Sequence, residues 1–216
     1  MAVLRGLTGL RLKLIMDRAI YFFKMAVSRA DVDVMYNGCR YETAWFPTTK
    51  SPWCALFRNS DFELLELIKD IDFYMRFGYD SEINYKQACP IVRDIVQTMQ
   101  WVVEDSVASS VAIRFSHSGA MVKLFARLGL FNDSKSIVDL NEKRAWRTSF
   151  LDPFSSNLCL VLFKCRDQQF RILTYLQEKV ISLPVTCAQP CMLGEFFNYY
   201  KSISDSCNMN EICNME

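Results

Sequence analysis

The 216 residues contain one histidine, His117. That scarcity excludes HExxH zinc sites, histidine-rich metal clusters and any mechanism in which two imidazoles of this chain cooperate. Glycine is nearly as sparse. There are seven, none spaced as GxGxxG or GxxxxGKS, so no backbone cradle for nucleotide phosphates is encoded. Charge of one sign is missing as well: the formal net charge is +1, which argues against nucleic acid as a partner and gives an anionic surface no bulk field to follow. Long apolar runs are absent. The longest charge-free run, residues 180–194, is broken by Pro184 and Pro190 and offers no transmembrane helix. In the first 30 residues charge-free stretches reach only five, too short for the apolar segment of an export signal.

What is present is a core-forming composition, 51% hydrophobic and 13% aromatic, enough for one large domain or two small ones. Charge is unevenly placed. Residues 1–30 carry six basic groups, Arg5, Arg11, Lys13, Arg18, Lys24 and Arg29, against Asp17 alone. Nine cysteines, four of them (Cys187, Cys191, Cys207 and Cys213) in a polar tail, fit an oxidising compartment better than the cytosol. An odd count leaves at least one thiol free or paired outside the chain. A lumenal cysteine pattern without an export signal is what a chain lacking an N-terminal piece would show. The tail cysteines lack the CxxC geometry of zinc ribbons, so disulfides or free thiols fit them better than a metal site.

Along the chain, Leu12, Ile15, Met16, Ala19, Ile20, Phe23, Ala26 and Val27 share one arc of a helical wheel, with Arg11, Lys13, Asp17, Arg18 and Lys24 opposite. The basic face admits a membrane-surface reading, but a helix packed on its own domain is preferred. Residues 31–58 read as irregular. Ser60 and Glu63 form a capping-box pattern ahead of Leu64, Ile68, Ile71 and Met75, with Gly78 as a stop. Pro90 opens another helix, with Ile91, Ile95, Met99 and Val102 inside.

Residues 107–115 read as a buried strand, residues 116–119 as a turn, and residues 121–128 as a helix stopped by Gly129. A second buried strand is expected at 158–163, then a hairpin of 170–176 and 180–183 turning at 177–179, and a closing helix at 195–203. The division predicted is a helical insert or cap region over 1–104, the C-terminal half of an α/β core over 105–184, and a C-terminal helix with a cysteine-rich tail over 185–216.

His117 is the candidate site residue, because the end of a strand feeding a helix is where open α/β sheets bind ligands. Cys165 and Arg171 stand at the CxxxxxR spacing of cysteine phosphatases, but the residues between them include no glycine to turn amides inward. No cofactor is implied. Asn132-Asp133-Ser134 is an N-glycosylation triplet in an expected surface loop.

Phe115-Ser116-His117, followed by a helix ending Leu128-Gly129-Leu130-Phe131, resembles the FxHAE…LLGLF segment of multiple inositol polyphosphate phosphatases, a group of the histidine acid phosphatases. Cys39-Arg40-Tyr41-Glu42, Ser51-Pro52-Trp53-Cys54, Gly78-Tyr79, Arg147, Pro153-Phe154-Ser155-Ser156-Asn157 and Glu178-Lys179 match in order, so the resemblance covers residues 34–200. It implies part of a phosphoglycerate-mutase-like α/β fold preceded by a helical insert, in the secretory pathway. It also implies action on phosphomonoesters such as inositol polyphosphates or bisphosphoglycerate. In that family the histidine of an RHGxRxP motif attacks phosphorus, arginines hold the phosphoryl oxygens, and an acid beside the second histidine protonates the leaving alcohol. This chain contains no RHGxRxP, and Gly119 stands where the family has its proton-donating glutamate. His117 alone carries over, as a phosphate contact. The expectation is a chain inactive alone, or a noncatalytic pseudophosphatase that binds.

Overall fold

The computed structural model describes residues 2–104, 111–133, 143–184 and 189–214. The chain divides into two compact units, residues 1–71 with 135–147, and residues 72–134 with 148–216.

The first unit is helical. Helix α1 (Ala2–Phe23) buries Leu12, Ile15 and Ala19 against Val32, Cys39, Leu56, Leu64 and Leu65, so it packs on its own domain as expected, but the expected apolar arc is only partly buried: Ile20, Phe23 and Ala26 are exposed, and the helix ends at Phe23. Helix α2 (Arg29–Trp45) replaces the irregular segment expected from residue 31. Its start is specified by a capping box in which Ser28 Oγ accepts from Asp31 N and Asp31 Oδ2 accepts from Ser28 N. The aromatic and polar residues of α2 obscured its period, although Ser28 and Asp31 carry the start signal. A 3-10 turn (Pro52–Leu56) follows, bound to α2 by the Cys39–Cys54 disulfide.

Helix α3 (Asn59–Phe77) begins one residue before the expected cap. Asp61 does the capping, its Oδ2 accepting from Arg58 N at 2.7 Å, so Ser60 lies inside the helix. Glu66 and Asp70, one turn apart on α3, hold residues 144–147 (Arg144-Ala145-Trp146-Arg147). Arg144 donates to Asp70 Oδ2 at 2.9 and 2.5 Å, Trp146 Nε1 donates to the Asp70 carbonyl at 3.2 Å, and Arg147 donates to both Glu66 oxygens. Asp70 and Trp146 are fully buried, so these bonds satisfy groups that water cannot reach.

The second unit is mixed α/β. Helices α4 (Glu82–Lys86) and α5 (Cys89–Val103, opened by Pro90) precede α6 (Ser118–Arg127). On α5 the buried stripe is Val92, Ile95, Val96 and Met99, rotated slightly from the predicted one. Gly129, at φ +80°, ends α6 as expected. The short α7 (Thr148–Leu151) leads into a hairpin of β1 (Leu158–Lys164) and β2 (Phe170–Leu176). Strand β3 (Lys179–Ile181) pairs Lys179 with Leu176, so the turn is the two residues Gln177 and Glu178, both at positive φ, rather than three. Strand β4 (Cys191–Met192) joins the same edge of β2, and every pairing is antiparallel. Helix α8 (Leu193–Asp205) packs on α5, α9 (Met209–Cys213) follows, and Cys89 is bonded to Cys207.

Two strand expectations need correction. Residues 107–110 lie outside the described residues, and 111–117 have no regular structure and are exposed, Phe115 by 97%. An apolar run forms a buried strand only where neighbouring strands cover it. Strand β1 exists, but its residues are half-buried or exposed rather than buried.

Candidate functional site

His117 caps the N-terminus of α6. Its extended backbone (φ −123°, ψ 160°) reverses the chain, and its carbonyl accepts from Ala120 N and Met121 N, each at 3.0 Å. The residue is exposed, and it makes no side-chain cap to its own helix. The first amides of α6, those of Ser118 and Gly119, therefore stand beside an imidazole at the positive end of a ten-residue helix, where a phosphate-sized anion is favoured. The strand-to-helix delivery of His117 expected from sequence is instead coil-to-helix.

Gly119 lies in the first turn of α6 against the ring of Phe77. A Cβ built there meets Phe77 Cε1 at 3.2 Å, so any larger side chain requires the ring to move. Ser118 Oγ donates to Asp152 Oδ2. Burial pushes the Asp152 carboxyl above its usual range, and the Ser118 hydrogen bond only partly offsets this. Sequence reasoning missed Asp152. Nothing local links two residues 34 positions apart.

Cationic groups that could serve a phosphate are largely committed. Arg114 donates to Asp94 and to Thr98 Oγ1. Lys123 Nζ donates to Gln87 Oε1 at 2.5 Å and lies 5.8 Å from the Phe77 ring centre. Arg147, part of the ordered family match, is engaged by Glu66 within the first unit.

The CxxxxxR spacing does not form an anion loop. Residues 165–169 are a tight reversal, with Cys165 N donating to Gln169 O, and Arg171 is held by both oxygens of Asp167. A cleft of 540 Å³ between β2 and the start of α8 has Gln169, Glu195 and Asn198 as its polar lining and no Lys or Arg, which suits no phosphate. Of the tail cysteines, Cys207 and Cys191 are disulfide-bonded, Cys213 is a free thiol, and Cys187 lies outside the described residues. Asn132 of the glycosylation triplet is exposed.

The chain, a helical region followed by a small antiparallel sheet, belongs to the histidine phosphatase superfamily (branch 2), matched over residues 15–177. Within that family it is similar to multiple inositol polyphosphate phosphatase 1. Identity to the human protein is 28% over 96% of this chain and 46% of that protein; to the Drosophila melanogaster protein it is 27% over 85% and 40%. Thiamine-repressible acid phosphatase pho4 of Schizosaccharomyces pombe is 26% identical over 71% of this chain and 34% of its own length. The chain thus spans less than half the length of these curated relatives.

Proposed function

We propose that the chain supplies the second-histidine half of a phosphomonoester site, suited to inositol polyphosphates, and that it does not turn substrate over by itself. One observation carries the reading: the sole imidazole, His117, stands exposed at the amide end of α6 with Gly119, not an acid, packed against Phe77.

The chemistry explains the division. A phosphoryl group leaves an alcohol readily when one imidazole attacks, guanidinium groups offset the developing charge and an acid protonates the leaving oxygen. His117 and the first α6 amides can hold phosphoryl oxygens. They cannot also provide the nucleophile. Losing general-acid help alone costs about 10²–10⁴ in rate, which leaves a slow enzyme. Losing the nucleophile leaves none.

The resemblance and the disulfides Cys39–Cys54 and Cys89–Cys207 support a place in the secretory pathway, and the resemblance supports a helical cap within residues 1–104, of which residues 72–104 belong to the second compact unit. A second reading, a noncatalytic phosphate-binding protein, is favoured by Gly119, since a missing segment does not account for a substitution inside the retained part.

Phosphate release from inositol hexakisphosphate by the purified chain tests the proposal. No release above buffer is expected, whereas calorimetry should detect binding that H117A weakens. Turnover abolished by H117A would overturn the noncatalytic assignment, and absence of binding at millimolar ligand would remove the binding role.

A further inference from the structure

Helix α6 begins without an anionic partner of its own. Its first turn contains no acid, and His117 makes no side-chain cap. The negative group at that end comes from another element of the same unit: Asp152, which directly follows α7, accepts from Ser118 Oγ through its Oδ2. The Asp152 N–H donates to the Thr148 carbonyl at 3.0 Å, which fixes the residue on the last turn of α7. Its carboxyl is therefore held beside the first residue of α6, within the field of the helix end.

Among the described residues Ser118 is the one side chain that bonds this carboxyl, and no cation pairs with it. Asp152 is half-buried, and its second oxygen, Oδ1, is left to accept from a further donor. Arg114 and Lys123, the cations flanking His117 in sequence, are occupied by Asp94 with Thr98 and by Gln87. An oxyanion arriving at the imidazole and the first α6 amides thus meets a carboxylate that nothing neutralises. Two tetrahedral anions of similar size respond differently to it. Phosphate retains a hydroxyl, which can donate to a carboxylate oxygen in a strong charge-assisted bond. Sulfate has no proton at neutral pH, so its oxygens meet the carboxylate only as like charge.

We infer that Asp152 is a specificity-determining residue of the His117 site: it admits oxyanions that carry a proton, such as hydrogen phosphate or a phosphomonoester monoanion, and rejects oxyanions that carry none. The inference rests on the phosphate-binding reading of His117 given above and names what that site selects. The proton stays on the phosphate oxygen throughout, shared with Asp152 Oδ1, and no covalent bond forms or breaks. Ser118 acts as a positioning residue, because its hydroxyl occupies Oδ2 and leaves Oδ1 for the ligand. Gly119 contributes no side chain to this selection, so the discrimination falls to a residue 34 positions from Ser118.

The test is calorimetric titration of the whole chain with sodium phosphate and with sodium sulfate at mildly alkaline pH, where a carboxyl raised by burial is ionised and phosphate keeps one proton. The parent should bind phosphate about tenfold more tightly than sulfate. D152N, whose amide can donate to either anion, should bring the two within about twofold, chiefly by gaining affinity for sulfate. D152S, a smaller neutral replacement, should do the same and serves if D152N fails to fold. H117A should weaken both anions and keep their ratio. Equal binding of both anions by the parent, or discrimination that survives in the Asp152 variants, would overturn the inference while leaving the phosphate site in place. Binding of neither anion at millimolar concentration would remove the site itself, and the inference with it.

Discussion

At the scale of single residues, Asp70 is a buried electrostatic commitment. Its carboxylate is fully buried, and Arg144, itself only 9% exposed, is its close partner. R144A should cost about 3–5 kcal/mol by chemical denaturation, because it leaves a buried charge uncompensated, whereas a double replacement by apolar residues should cost much less. Asp152 behaves oppositely. Its folded carboxyl titrates above its unfolded value because of burial, so the folded state holds its proton longer and stability falls as pH rises through the carboxylate range. D152N keeps the neutral form at every pH. Its melting temperature relative to the parent should therefore rise more at neutral pH than in acid. Neither position was legible in sequence: Asp70 reads as one more polar residue of α3, and the partners of both lie far along the chain. His117 was legible, because a sole histidine ahead of a helix stands out in any listing of side-chain chemistry.

At the scale of elements, local patterns worked where the chain solves its own boundary problem. Pro90, Gly129 and the apolar period of residues 64–75 located α5, the end of α6, and α3. They failed where the neighbour decides. Residues 111–115 are apolar enough for a buried strand, but a strand needs partners that no local pattern specifies, and here the segment is exposed coil. Likewise the mixed aromatic and polar residues of α2 hide its period, and only Ser28 and Asp31 mark its start. Turn chemistry offers two checks. Glu178 sits at φ 63°, where glycine carries no steric cost, so E178G should stabilise the hairpin by about 1 kcal/mol in thermal melts, less the lost Asn157 hydrogen bond. Gly129 combines φ +80° with Pro184 Cγ only 2.7 Å from a built Cβ. G129A should therefore destabilise by about 1–3 kcal/mol.

At the scale of the whole molecule, the disulfides Cys39–Cys54 and Cys89–Cys207 close loops of very different length. Cys39–Cys54 spans 15 residues and Cys89–Cys207 spans 118. In the chain-entropy account these are worth about 3 and about 4–5 kcal/mol respectively. Thermal melts with and without a phosphine reductant should differ accordingly, with the second unit losing more. The exposed thiols Cys159 and Cys213 leave the protein open to intermolecular crosslinking in the same oxidising conditions.

The Cys89–Cys207 bond also decides what a protease leaves behind. A single cut between the end of α5 and the start of β1 severs α5 from the hairpin along the backbone yet releases no fragment, because the sulfur bridge keeps both pieces on one particle. Nicked protein would migrate intact on a denaturing gel until reductant is added, so processing inside this region could pass unseen in any assay run without it.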